Sequence, residues 1–156
     1  MKYSVVIVLI LAVKVSHAQT MYMDSIFTEV NKTTYTYDNS KSEALQFDYY
    51  IAGNAREEIP LLVYVHGGGF VGGTRDSKDL VNFATKLAQR GYAVASVSYR
   101  LSMRGIGFGC DVAAKKKIAA IDSASYDVGL AIKYIVDNNR EFNIDRNKIV
   151  LMGSSA

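Results

Sequence analysis

Residues 148–156, Lys148-Ile-Val-Leu-Met-Gly-Ser-Ser-Ala156, decide the fold. The apolar run through Met152 reads as a buried strand, and Gly153-Ser154-Ser155-Ala156 is one residue short of a G-x-S-x-G pattern. A strand running straight into Gly-x-Ser-x builds a nucleophile elbow. The sharp turn lifts a serine hydroxyl above the sheet edge, and small neighbours are needed because the backbone is crowded there. Ser155 holds the central position and is the candidate nucleophile. The next residue, Ala156, offers its backbone N–H toward an oxyanion formed at that serine.

Upstream, His66-Gly67-Gly68-Gly69-Phe70 follows a second apolar strand, Leu61-Leu-Val-Tyr-Val65. Consecutive glycines let a backbone turn its N–H groups inward and approach a substrate with no Cβ in the way. Losing one such donor typically costs about 3 kcal/mol of transition-state stabilisation. Either motif alone is only moderately specific. Both together, each after a strand and in this order, point to acyl transfer at Ser155.

Outward from these motifs the chain alternates. Thr33, Tyr35 and Tyr37, then Leu45, Phe47, Tyr49 and Ile51, repeat every second residue around a polar turn, which predicts an antiparallel pair. Met21 to Val30 has no periodicity and reads as a loosely held lead-in. Pro60 stands at the start of the Leu61 strand. Asp76 to Asp79 supplies capping residues. Leu80, Phe83, Ala84, Leu87 and Ala88 then form one helical stripe, with Gly91 as its stop.

Tyr92 to Tyr99 reads as a strand buried on both faces. A second helix is expected from about Ile121 to Asn139, with Val128, Ala131, Ile132, Ile135 and Val136 inward. Asn143 to Asn147 is read as the turn into the last strand. The order predicts an α/β fold with a mixed, mostly parallel sheet. Leu101 to Ala120 reads as a long loop over the C-terminal edge of that sheet, carrying Lys115-Lys-Lys117 as a solvated face and shaping the site's mouth.

Lys2, the apolar stretch Val5 to Val13 and the small residues Ser16 and Ala18 make residues 1–18 a signal peptide by pattern, cut before Gln19. The core of that segment is too short to span a bilayer, which takes roughly 20 residues. Export to a secreted or periplasmic location follows, with no stable membrane span after its removal. Without Lys2 and Lys14, the 18 basic residues become 16 against 15 acidic, a net of +1. Near-neutrality with no basic stripe gives no reason to expect nucleic acid as a partner. Cys110 is the sole cysteine and His17 and His66 the sole histidines, so no metal site is expected. Asn31-Lys-Thr33 fits the N-glycosylation acceptor pattern.

The segments HGGGF, then SYRL at Ser98 to Leu101, then NIDRNKIVLMGSSA resemble the α/β-hydrolase family, in particular HGGG-type esterases and lipases. The resemblance covers roughly residues 45 to 156. It implies a serine carboxylesterase without metal or organic cofactor, acting on a small-molecule or polysaccharide-linked ester. The N–H groups of Gly68, Gly69 and Ala156 would form the oxyanion hole. His66 would be a structural residue of the loop, bonded to its backbone.

In that family the triad acid and histidine follow the nucleophile in sequence. Residues 19–156 are therefore expected to be the N-terminal part of a hydrolase domain, inactive and poorly folded alone. Asp122 and Asp127 precede Ser155 and read as helix-surface or ion-pairing residues, near Arg100.

Two other classes were weighed. Gly67, Gly69 and Gly72 formally satisfy G-x-G-x-x-G, the fingerprint of a dinucleotide-binding oxidoreductase, but the apolar helical stripe starts only at Leu80 and the next strand ends in Ser98-Tyr99-Arg100 without an acid. The other is a non-catalytic binding protein on the hydrolase scaffold, which the retained serine disfavours.

Overall fold

The alternation around residues 30–52 resolves into an antiparallel pair, β1 (Val30–Asp38) and β2 (Leu45–Ala52), in the computed structural model, which describes residues 22–55 and 58–155. Residues 1–18, read above as a signal peptide, and Ala156, the expected third oxyanion donor, lie outside the described residues. β3 (Ile59–Val65), β4 (Ala93–Val97) and β5 (Ile144–Gly153) follow, with α1 (Lys78–Ala88) between β3 and β4 and α2 (Ala114–Asp137) between β4 and β5. The sheet order is β1-β2-β4-β3-β5. β3 runs parallel to both β4 and β5, and β2 runs antiparallel to β4, so the sheet is mixed.

Period-2 geometry sends alternate residues to opposite faces, and here each face has its own helix. Phe47, Leu61, Val63, Ala95 and Val97 share one core with Val128, Ala131 and Ile135 of α2 and with Phe142. Tyr50 and Val94 share the other with Ala84 and Ala88 of α1. Phe142 locks the first core to the hairpin: its ring sits 4.9 Å from Tyr35 and 5.0 Å from Tyr49. The Tyr49 hydroxyl donates to its carbonyl.

Several expectations need correction. α2 begins at Ala114, a full two turns before Ile121, so Lys115 to Lys117 lie in its first turn and the loop over the sheet ends at residue 113. Three cations at a helix N-terminus oppose the macrodipole, and no acid offsets them there. The high intrinsic propensity of alanine and lysine carries those turns instead. Ser77 is the N-cap of α1 but makes no side-chain capping bond. Residues 22–29 are pinned: the N–H groups of Ile26 and Phe27 both donate to the Gln89 carbonyl, and Tyr22 packs on Tyr92.

Asn143, at φ 52°, makes the bend into β5, and Asp145 to Lys148 is a register break within that strand, not a turn before it. β5 is an edge strand among the described residues. Its Val150, Leu151 and Met152 are exposed, where the apolar run alone predicted burial.

Of the two readings of Asp127, the ion pair with Arg100 holds and the helix surface does not, for the residue is fully buried. Its two oxygens take the Arg100 guanidinium at 2.8 Å and the Arg100 N–H at 2.9 Å. Removing one partner of such a pair strands the other. Arg100→Met should cost about 3–5 kcal/mol in urea unfolding, and Arg100→Met with Asp127→Leu much less. Equal losses in the two variants would show that the pair's charge is not what the fold depends on.

Asp48, in the middle of β2, is 1% exposed. Burial alone would push its carboxyl up. Hydrogen bonds from Lys32, Thr34 and Arg75 outweigh that and hold it below its ordinary range. A depressed native pKa means stability that is present above the unfolded value and lost as pH falls through the native one. The melting temperature should therefore drop below about pH 4, and Asp48→Asn should flatten that acid limb. An unchanged limb would contradict the assignment.

Candidate active site

Val65, Val97 and Gly153 are paired side by side at the C-terminal ends of β3, β4 and β5. Three sequence-distant segments therefore leave the sheet at one place, the crevice where open α/β sheets hold ligands. From β3 comes the HGGG loop, from β4 the SYRL segment, and from β5 the serine turn.

Ser155 is exposed and sits at φ 54°. That is the left-handed region, costly for a residue with a side chain by about 1–3 kcal/mol, and such strain concentrates at functional turns. It is the backbone shape an elbow requires. Gly67 lies directly against this turn. A Cβ there would overlap the Ser154 carbonyl oxygen and stand 3.1 Å from the Ser155 Cβ. Gly68 and Gly69 hold φ of 125° and 61°. Among the described residues their N–H groups carry no hydrogen bond, while the Gly68 carbonyl accepts from Val71 and Gly72 to close the turn.

His66 is buried and tied to its own loop. Its Nδ1 lies 2.8 Å from the Gly67 carbonyl, and its ring stacks on Tyr99 at 4.5 Å. Tyr99 also donates its hydroxyl to the His66 carbonyl at 2.7 Å. This tyrosine carries no role in the sequence reading, although its place in the SYRL segment was the available signal. From the loop over the sheet, Phe108 packs on Phe70 at 5.3 Å, and the Met103 N–H donates to the Phe70 carbonyl.

Two clefts meet at Ser155. One, of about 360 Å³, is lined by apolar groups including Phe70, Tyr99, Val128, Ile132 and Leu151. The other, of about 560 Å³, runs past Gly67, Gly68, Thr74 and Phe83. Among the described residues no three His, Cys, Asp or Glu side chains gather as metal ligands, and no helix is long and apolar enough to cross a membrane. Cys110 is exposed. The helix after β3 starts at Lys78, five residues beyond Gly73, so no helix N-terminus opens within the glycines as a dinucleotide fingerprint needs.

Residues 47–156 match the BD-FAE family. The chain belongs to that family of α/β-hydrolase esterases. It is 34% identical over 101 residues to the fumonisin B1 esterase of Sphingopyxis macrogoltabida, covering 63% of this chain and 18% of that protein. It is 30% identical over 100 residues to gut esterase 1 of Caenorhabditis elegans, covering 64% of this chain and 17% of that protein. Among solved structures, a bacterial heroin esterase superposes with a TM-score of 0.61 at 25% identity, covering 91% of this chain and 40% of the other. The chain spans under one fifth of the length of these curated relatives. BD-FAE membership accounts for the mixed, mostly parallel sheet as an α/β-hydrolase architecture.

Proposed function

We propose that these residues form the nucleophile and oxyanion half of a serine carboxylesterase. The carrying observation is the seating of Gly67 against Ser154 and Ser155, which sets the loop donors beside the strained serine. Ser155 Oγ attacks the ester carbonyl as its proton passes to a base. The carbonyl π electrons move onto oxygen, where the N–H groups of Gly68, Gly69 and Ala156 stabilise the charge. Collapse re-forms the carbonyl, breaks the bond to the alcohol oxygen and releases the alcohol with the proton. Water then cleaves the acyl-enzyme by the same steps in reverse order.

We assign His66 to holding its own loop, through Nδ1 at the Gly67 carbonyl and the stack on Tyr99, and not to the role of base. His17, the other histidine, lies in the signal segment. In this reading the acid and histidine of the triad come from outside these 156 residues, and the complete enzyme is exported. The substrate is a small-molecule or polysaccharide-linked ester.

The test is covalent. The complete enzyme treated with a fluorophosphonate should gain one adduct, mapped by peptide mass spectrometry to Ser155. Stoichiometric labelling at another serine would overturn the assignment.

A further inference from the structure

We propose that Asp48 and Arg75 are a positioning pair that fixes the far end of the oxyanion loop, and so the spacing between its N–H donors and Ser155. The inference rests on the esterase reading above and adds to it two residues that touch no reacting atom.

The loop is anchored to β4 and its exit at both ends. At the near end the Tyr99 hydroxyl holds the His66 carbonyl at 2.7 Å. At the far end the Ser96 hydroxyl holds the Arg75 carbonyl, also at 2.7 Å. The Arg75 side chain then reaches back over the sheet. Its Nε donates to Asp48 Oδ1 at 3.0 Å and its Nη1 to Ser98 Oγ at 3.2 Å. Asp48 pairs in register with Ser96 across β2 and β4, so the carboxylate and the Ser96 hydroxyl form one fixed platform under Arg75.

Neutralising Asp48 does not by itself require Arg75. Lys32 on β1 already lies 2.8 Å from Oδ2, and the Thr34 hydroxyl donates to Oδ1 at 2.7 Å. Arg75 is a second cation on one carboxylate, brought from the loop. What it adds is direction, since a guanidinium offers its donors in a rigid fork.

The transmission to the site is short. At Gly73, two residues before Arg75, a side chain would overlap the Gly67 carbonyl oxygen and the His66 ring. Gly67 in turn abuts the serine turn. A displaced Arg75 therefore releases Gly73, then Gly67, and the donors beyond it. Misplacement by about 1 Å at a reacting centre is enough to cost about a hundredfold in rate.

The experiment uses the complete enzyme and p-nitrophenyl butyrate. Arg75→Ala and Asp48→Asn should each lower kcat about 10- to 100-fold with KM changed by less than about threefold, and should slow fluorophosphonate labelling in parallel. Arg75→Lys should recover part of kcat, because one ammonium cannot span Asp48 and Ser98 as the fork does. Lys32→Met supplies the contrast. It removes the other charge partner of Asp48 without touching the loop, so it should lower the melting temperature and leave kcat near wild type.

If Arg75→Ala keeps wild-type kcat, or if Lys32→Met lowers kcat as much as Arg75→Ala does, the positioning role is overturned while the esterase reading stands. A wild-type enzyme that neither hydrolyses the ester nor labels at Ser155 overturns that reading and this pair with it.

Discussion

Ser155→Ala in the complete enzyme should cut kcat for a p-nitrophenyl ester by about 10⁴- to 10⁶-fold, with folding intact. The size follows from the role. A nucleophile removed from a triad loses the covalent route entirely, leaving only what donors and binding contribute to direct attack by water. Folding should survive because Ser155 is exposed and lies past the end of β5. Alanine still carries a Cβ at φ 54°, so the elbow stays strained to the same degree. The check is steady-state hydrolysis by enzyme titrated for protein concentration, with circular dichroism as the folding control. Activity within tenfold of wild type would place the nucleophile elsewhere.

Gly67→Val should be nearly as severe for a different reason. No rotamer relieves the overlap, because the obstruction at Gly67 is backbone: the Ser154 carbonyl oxygen meets the Cβ itself, with the Ser155 Cβ at 3.1 Å behind it. Either the HGGG loop or the serine turn must move, and both outcomes separate nucleophile from donors. A loss of about a hundredfold or more in kcat is expected. Gly72→Ala is the matched control in the same loop, since nothing lies within 4 Å of a Cβ there. It should keep activity within a few-fold of wild type. Equal losses at positions 67 and 72 would mean that loop flexibility matters, and not close approach to the elbow.

Much of this arrangement is legible in residue order. Period-2 alternation places Phe47 and Tyr49 on one face of β2, and the stripe from Leu80 to Ala88 locates α1. The two motifs announce themselves because glycine triplets and strand-to-serine turns are local features. The start of α2 is not legible, because the first two turns show no apolar stripe and their lysines look like a solvated loop.

Burial of Asp48 and Asp127 was hidden for a related reason. A carboxylate in an alternating strand or on a helix reads as solvent-facing until the partner from another element is known, and Arg75 and Arg100 are each 27 residues from theirs. The meeting of Gly67 with Ser155 spans most of the domain and depends on β3 and β5 being neighbours, which strand order alone does not state.

The account's central claim is that the HGGG loop and the serine turn are one site. It is tested most directly by a crystal structure of the complete enzyme phosphonylated at Ser155. The phosphonyl oxygen should lie 2.7–3.1 Å from the N–H groups of Gly68, Gly69 and Ala156, as an oxyanion hole requires. An oxygen turned away from the loop, with those donors bonded elsewhere, would contradict it.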